Sequence, residues 1–168
     1  YVLAVCFAVE YNWPAFLGIW LFKTLLLRYG GRSLYQRLVD ASVEKAFGGD
    51  RLRIGGLKGF ADGSLGSSSG WFSEPFLEEP DNRGLPMEPM TDGSMKQWAT
   101  GADAHNLQIA IHAIGDRAND EVLKIYESLP ASRRFRIEHA QHLTPDLIKR
   151  FAADHVIASM QPYHAIDD

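Results

Sequence analysis

Short apolar runs return at intervals beyond residue 50, each separated from the next by a loop or helix-like stretch, and this pattern constrains the chain most. Residues 52–60 (LRIGGLKGF), 108–114 (QIAIHAI), 136–140 (RIEHA) and 156–160 (VIASM) read as strands. Residues 92–105 place Met95, Trp98, Ala99 and Ala102 on one helical face, which Gly101 weakens without abolishing. Asp116 stands where it can cap a helix over 117–129, with Ala118, Val122, Ile125, Tyr126 and Leu129 turned inward. Thr144 and Pro145 form an N-cap and first-turn pair that opens a helix to residue 153, with Leu147, Ile148 and Phe151 inward. Strands that recur every ~20–30 residues with helices between them give the βα rhythm of a parallel sheet. Doubly wound sheets and (β/α)8 barrels share that rhythm. A full barrel needs about 250 residues, so a chain of 168 holds only part of one.

Two stretches stand outside the rhythm. Residues 61–70 (ADGSLGSSSG) are a Gly/Ser loop, and residues 71–89, with four prolines and the turn sequence PDNRG, read as a long ordered loop. The N-terminal stretch 1–27 is apolar but interrupted by Glu10, Asn12, Pro14 and Lys23. A spanning helix wants about 20 largely uncharged residues, and a cleavable signal wants a basic start and a small-residue cut site. Neither fits, so residues 2–9 are read as a buried strand and 15–27 as an apolar helix. A cytoplasmic protein is expected, with membrane attachment through 1–27 left open. The chain starts on Tyr1 and stops at Asp168 just after a strand-like run, which leads us to expect a piece of a longer protein. Cys6, the single cysteine, cannot form an internal disulfide and reads as core filler.

Charge narrows the class of partner. With 17 basic and 21 acidic residues, the formal net charge is -4. A phosphate-backbone binder concentrates Lys and Arg on one face, and the short, interrupted Arg133-Arg134-Phe135-Arg136 run does not amount to that. No nucleic-acid partner is expected.

The chemistry-bearing side chains fall at strand ends: Lys58 in LRIGGLKGF, His112 in QIAIHAI and His139 in RIEHA. Ligands bind at the C-terminal edge of the strands in parallel βα folds. Singly, each residue has a structural explanation. A lone His closing a strand is more often a hydrogen-bonded structural residue, and a strand Lys ordinarily snorkels to water. Three such groups at one edge point instead to a shared site.

These residues sit within longer motifs. GGLKGFADGSLGS (55–67), PDNRGL (80–85), HAIGDRAND (112–120), RIEHAQHL (136–143) and VIASMQPYHA (156–165) resemble the amidohydrolase superfamily. The closest branch is the YtcJ-like one, which includes N-substituted formamide deformylases. The resemblance covers 48–168, whereas 1–47 is a poorly matching apolar N-terminal segment. It implies an α/β fold, a partial TIM (β/α) barrel with parallel strands that is a fragment of a larger barrel. It also implies one or two divalent metal ions, with zinc expected, and a small-molecule substrate. His112 and His139 would be metal ligands. Lys58 matches a strand lysine that is carbamylated in binuclear members; an unmodified ammonium has no lone pair to offer a cation. The activity implied is hydrolysis of an amide or other non-peptide carbon–nitrogen bond, by water that the metal acidifies towards a pKa of about 7. His164 would contact substrate, and Asp62 would either form a turn or orient a ligand from behind.

The chain also departs from that pattern. The superfamily's first-strand His-x-His pair is absent, and the late-strand Asp that acts as general base would lie beyond residue 168. His105, His142 and His155 read as loop or helix-end residues and do not replace them. The parent is therefore expected to be an enzyme, and this chain alone to carry an incomplete, inactive site. Two readings compete. Gly66-Ser67-Ser68-Ser69-Gly70 fits the Gly-x-Ser-x-Gly pattern of serine hydrolases, with Ser68 as nucleophile, although that pattern needs a strand directly before it and a helix directly after. The other is a non-catalytic, truncated barrel whose unpaired strand edges invite association.

Overall fold

The structure is a computed structural model that describes residues 4–7, 47–130 and 134–167. Its elements in chain order are β1 (Ala4–Phe7), β2 (Phe47–Gly49), β3 (Leu52–Phe60), α1 (Glu88–Thr91), α2 (Ser94–Ala104), β4 (Gln108–Ala113), α3 (Asp116–Glu127), β5 (Arg136–His139), α4 (Pro145–Ala153), β6 (Ile157–Ser159) and α5 (His164–Asp167). They form one α/β unit on a six-stranded sheet of order β1-β3-β4-β5-β6, with β2 also paired to β3. Strands β3 to β6 are parallel neighbours. Both β1 and β2 join β3 antiparallel, an arrangement the βα rhythm did not foretell. The apolar helix expected over 15–27 lies outside the described residues. Among the described residues no helix is long and apolar enough to cross a membrane.

The two faces of the parallel strands differ. Leu57, Ile109, Ile111 and Ile137 are buried against Met95, Ala99 and Ala102 of α2, Val122, Leu123 and Tyr126 of α3, and Leu147 and Phe151 of α4. Full burial of such a side chain is worth about 1.5–3 kcal/mol over leaving it in water, so this side is the core. The opposite face carries Lys58, Gln108, Arg136 and Glu138, which line a cleft of about 280 Å³. Period-two alternation thus puts apolar side chains under the helices and polar ones on the open side.

Several local expectations need correction. The cap of α3 is Gly115, and Asp116 is its first helical residue; the Asp116 carboxylate accepts from the Ser73 and Arg117 amides instead. Leu123 and Asn119 are buried on α3, whereas Ile125 and Leu129 are only partly covered. Ile148, expected inward, is 56% exposed. Helix α4 begins where Thr144-Pro145 signals it, with Thr144 Oγ1 accepting from Leu147 N at 3.3 Å. The long loop after β3 is tied down by its own hydrogen bonds, among them Phe72 N to Arg83 O and Met87 N to Ala61 O, both 2.8 Å.

Candidate metal centre

Strands β3, β4 and β5 are held in register, with Phe60 beside His112 and Ala113 beside His139. His112 falls on the open face, in phase with Gln108 and Ala110. A regular pleat would send His139, paired with Ala113, to the helix side. It does not go there: His139 has φ 72° and Ala140 φ 45°, both left-handed. The backbone reversal brings the His139 ring against that of His112, edge to face, with centroids 4.7 Å apart and planes at 74°. Each left-handed non-glycine residue costs on the order of 1–2 kcal/mol, and the juxtaposed imidazoles are what that conformation achieves.

Each ring has one nitrogen already engaged. His112 Nε2 lies 2.7 Å from Gly63 O and 3.3 Å from Asp62 Oδ1. A carbonyl and a carboxylate can only accept, so Nε2 carries the hydrogen and Nδ1 of the neutral ring holds the lone pair. His139 Nδ1 lies 2.8 Å from Gln161 Oε1, which leaves Nε2 as the lone-pair nitrogen. Burial lowers the His139 pKa; the Gln161 contact opposes this, and the positive fields of His112, Lys58 and His164 lower it further. A neutral imidazole is the form that binds metal.

Asp62 is 1% exposed. Its carboxylate accepts from Ile114 N at 3.0 Å, Gly115 N at 2.9 Å and Trp71 N at 2.8 Å. It therefore fastens the loop after β3 to the end of β4 and holds Gly63 O against His112. Lys58 lies on the open face, with Nζ donating to Gly59 O at 3.2 Å and standing 4.2 Å from the Phe60 ring centroid. The Phe60 ring is 5.4 Å from that of His112. His164, at the start of α5, lies parallel to His139 at 6.1 Å, and its Nδ1 is 3.1 Å from Gln141 Oε1. Lys58, His112, His139 and His164 thus gather at one edge, with Asp62 behind His112.

Beside them, Arg136 pairs with Glu138 and donates to Ser159 Oγ at 2.7 Å. Burial pushes the Glu138 pKa up, but Arg136 and Ser159 outweigh it and hold the carboxyl low, with Lys58 assisting. Sequence reasoning did not find this network, nor Gln141 and Gln161; a strand-end glutamine carries no signal until its imidazole partner is in place. Among the described residues no three His, Cys, Asp or Glu side chains converge on one point. What the strand ends bring together is the histidine pair, with the Lys58 ammonium, which has no lone pair to offer a cation, at the same edge. His105 follows α2, and the exposed His155 follows α4. Ser68 ends a 3-10 turn with φ 48°, and its hydroxyl meets the Glu79 carboxylate. A loop precedes it and irregular chain follows, so the strand–nucleophile–helix geometry is missing.

The family model described as the amidohydrolase family matches residues 8–168. The chain is 41% identical over 172 residues to Protein LONG AFTER FAR-RED 3 of Arabidopsis thaliana, covering 95% of this chain and 29% of that protein. It is 32% identical over 122 residues to the putative amidohydrolase YtcJ of Bacillus subtilis (strain 168), covering 71% of this chain and 23% of that one. Among solved structures it is similar to an uncharacterized metal-dependent hydrolase from Pyrococcus furiosus, with a TM-score of 0.71 and 35% identity over 80% of this chain and 28% of that one. One from Pyrococcus horikoshii OT3 has a TM-score of 0.71 and 32% identity over 80% of this chain and 27% of that one. The chain therefore spans less than a third of the length of each of these relatives.

Proposed function

This chain belongs to the amidohydrolase family, in its YtcJ-like branch, and from that premise we propose that it supplies part of the metal centre of a metal-dependent hydrolase. The reaction proposed is cleavage of an amide or another non-peptide carbon–nitrogen bond in a small molecule. The four parallel strands would be consecutive strands of a (β/α) barrel, with the open polar face lining its interior. The observation that carries the reading is the histidine pair: two imidazoles from adjacent parallel strands, in contact, each with its second nitrogen committed to a hydrogen-bond partner. Outer partners of this kind orient metal-binding histidines.

A divalent ion, zinc in this proposal, polarises a carbonyl and acidifies water when bound. The chain's own residues do the rest of what is proposed here. His112 would offer Nδ1 and His139 Nε2. Asp62 and Gly63 fix the orientation of His112, and Gln161 that of His139. Lys58 would join them as a carbamate, whose oxygens can ligate where the ammonium cannot. His164, stacked beyond His139, would meet substrate. With two histidines and one lysine brought together, metal binding rather than turnover is the proper readout for this chain, which we expect to be inactive alone.

The test is titration of the chain with zinc or cobalt(II), followed by calorimetry and by visible absorption of the cobalt form. Ligand-field bands of bound cobalt that vanish in both His112→Ala and His139→Ala are the expected result. Binding that survives both substitutions would remove the proposal. Intact-mass measurement, with and without bicarbonate, tests Lys58 separately by looking for the added mass of carbon dioxide.

A further inference from the structure

A second concavity opens on the same edge of the sheet. It is a cleft of about 530 Å³ walled by Phe72, Phe76, Glu74, Glu78, Glu79 and His142. The two phenylalanine rings meet edge to face with centroids 5.2 Å apart, and Phe72 meets the His142 ring likewise at 5.1 Å. The cleft therefore has an aromatic floor and a carboxylate rim. Of the three carboxylates, Glu74 lies 4.0 Å from Arg83 and Glu79 accepts from Asn82 at 2.6 Å. Among the described residues Glu78 pairs with no cation, and His142 Nε2 is buried without a hydrogen-bond partner. Leu77, at the rim, is 101% exposed.

The cleft is anchored to the metal-site strands. His142 is three residues past His139, and its amide donates to Ile114 O, just beyond β4, at 3.0 Å. The other wall belongs to the loop that Asp62 fastens to the same place through Trp71 N. Both walls are thus hydrogen-bonded to the segments that carry the histidine pair.

We propose that this cleft binds the side group of the substrate, and that the group it selects is an aromatic or bulky apolar one carrying a positively charged nitrogen. The proposal rests on the hydrolase reading for the word substrate, but the binding itself does not need the metal. Aromatic faces attract cations as well as apolar groups, while a rim with an unneutralised carboxylate repels anions. An anionic group would meet like charge, and a small polar one would leave the aromatic floor in water.

The experiment uses the 168-residue chain without added metal and three probes matched in size: 2-phenylethylammonium, 3-phenylpropionate and 2-phenylethanol. Amide shifts of residues 72–79 and 142 report where each binds. The ammonium probe is expected to bind about tenfold or more tightly than the carboxylate, with shifts confined to the cleft. The Glu74→Gln/Glu78→Gln variant should shrink the preference between the two charges several-fold, leaving what Glu79 and the aromatic faces supply. Phe76→Ala should weaken all three probes together. Equal affinity for cation and anion, or shifts that map elsewhere on a folded chain, overturns the proposal. The outcomes separate this proposal from the last. Cation selectivity at the cleft with no metal binding by His112 and His139 sinks the hydrolase reading alone, and the converse sinks only the cleft.

Discussion

Replacing Asp62 is the sharpest perturbation of the site, because one carboxylate satisfies three backbone amides. Oδ2 takes Trp71 N and Gly115 N at 2.8 and 2.9 Å, while Oδ1 takes Ile114 N at 3.0 Å and faces His112 Nε2 at 3.3 Å. Asp62→Ala leaves all three donors without their acceptor. A buried unsatisfied group costs about 1–3 kcal/mol, and water entering the vacated space recovers part of that, so a loss of about 4 kcal/mol is expected. Asp62→Asn has nearly the same shape. Its remaining oxygen can keep Trp71 and Gly115, and its NH2 then confronts Ile114 N–H and His112 Nε2–H, donor against donor. About 2 kcal/mol is expected for that variant. Urea denaturation gives both numbers, and nitrogen chemical shifts of His112 report which ring nitrogen carries the hydrogen. In the wild type that is Nε2; in Asp62→Ala a mixture should appear, since only Gly63 O still selects it. An Asp62→Ala chain within 1 kcal/mol of wild type, with the His112 tautomer unchanged, would refute the clamp and the orienting role together.

Gly84 has φ +74°, and a Cβ there would lie 1.7 Å from Gly70 O. Gly84→Ala adds a left-handed penalty of about 1–2 kcal/mol to a clash with backbone, so a total loss of at least about 2 kcal/mol in urea is expected, with disturbance confined to the loop after β3. Asp120 gives a pH dependence. Burial raises its pKa, but Lys124 and Arg150 hydrogen-bond to it and hold it below the usual value of 3.8. Its contribution is therefore fully present above about pH 4 and is lost as pH falls through the lower, folded-state value. Asp120→Asn should flatten that acid arm of the stability profile, and an unchanged arm would show that the pairing between α3 and α4 adds nothing.

The parallel strands and the start of α4 were legible because their signals are local. Apolar runs bounded by turns, and a Thr-Pro pair at a helix start, act without reference to the rest of the chain. The same holds for the positions of Lys58, His112 and His139 at strand ends. What could not be read depends on partners distant in sequence. Nothing in AVCF or FGG announces antiparallel pairing with β3, because pairing direction is settled between strands rather than within one. Ile148 has the spacing of an inward residue, yet the stripe of α4 that reaches the sheet is filled by Leu147 and Phe151. Asp116 has the residue type of a cap, but Gly115 takes that position and leaves the carboxylate for the Ser73 amide. For Asp62 the sequence left open a turn role and an orienting role, but not which groups its carboxylate would take. Its role is set by amides nine and more than fifty residues away.

The left-handed turn at His139 and Ala140 has a consequence for how this site can change over time. His112 sits in ordinary strand backbone, which most residue types occupy without cost. His139 sits in a conformation that glycine and asparagine adopt readily and β-branched residues hardly at all. If selection for the imidazole pair were relaxed in descendants of this chain, position 112 would be free to drift towards any strand residue, whereas position 139 would be drawn to Asn or Gly and kept from Val, Ile and Thr. Unequal decay at two neighbouring positions would then mark where a pair of imidazoles once faced each other.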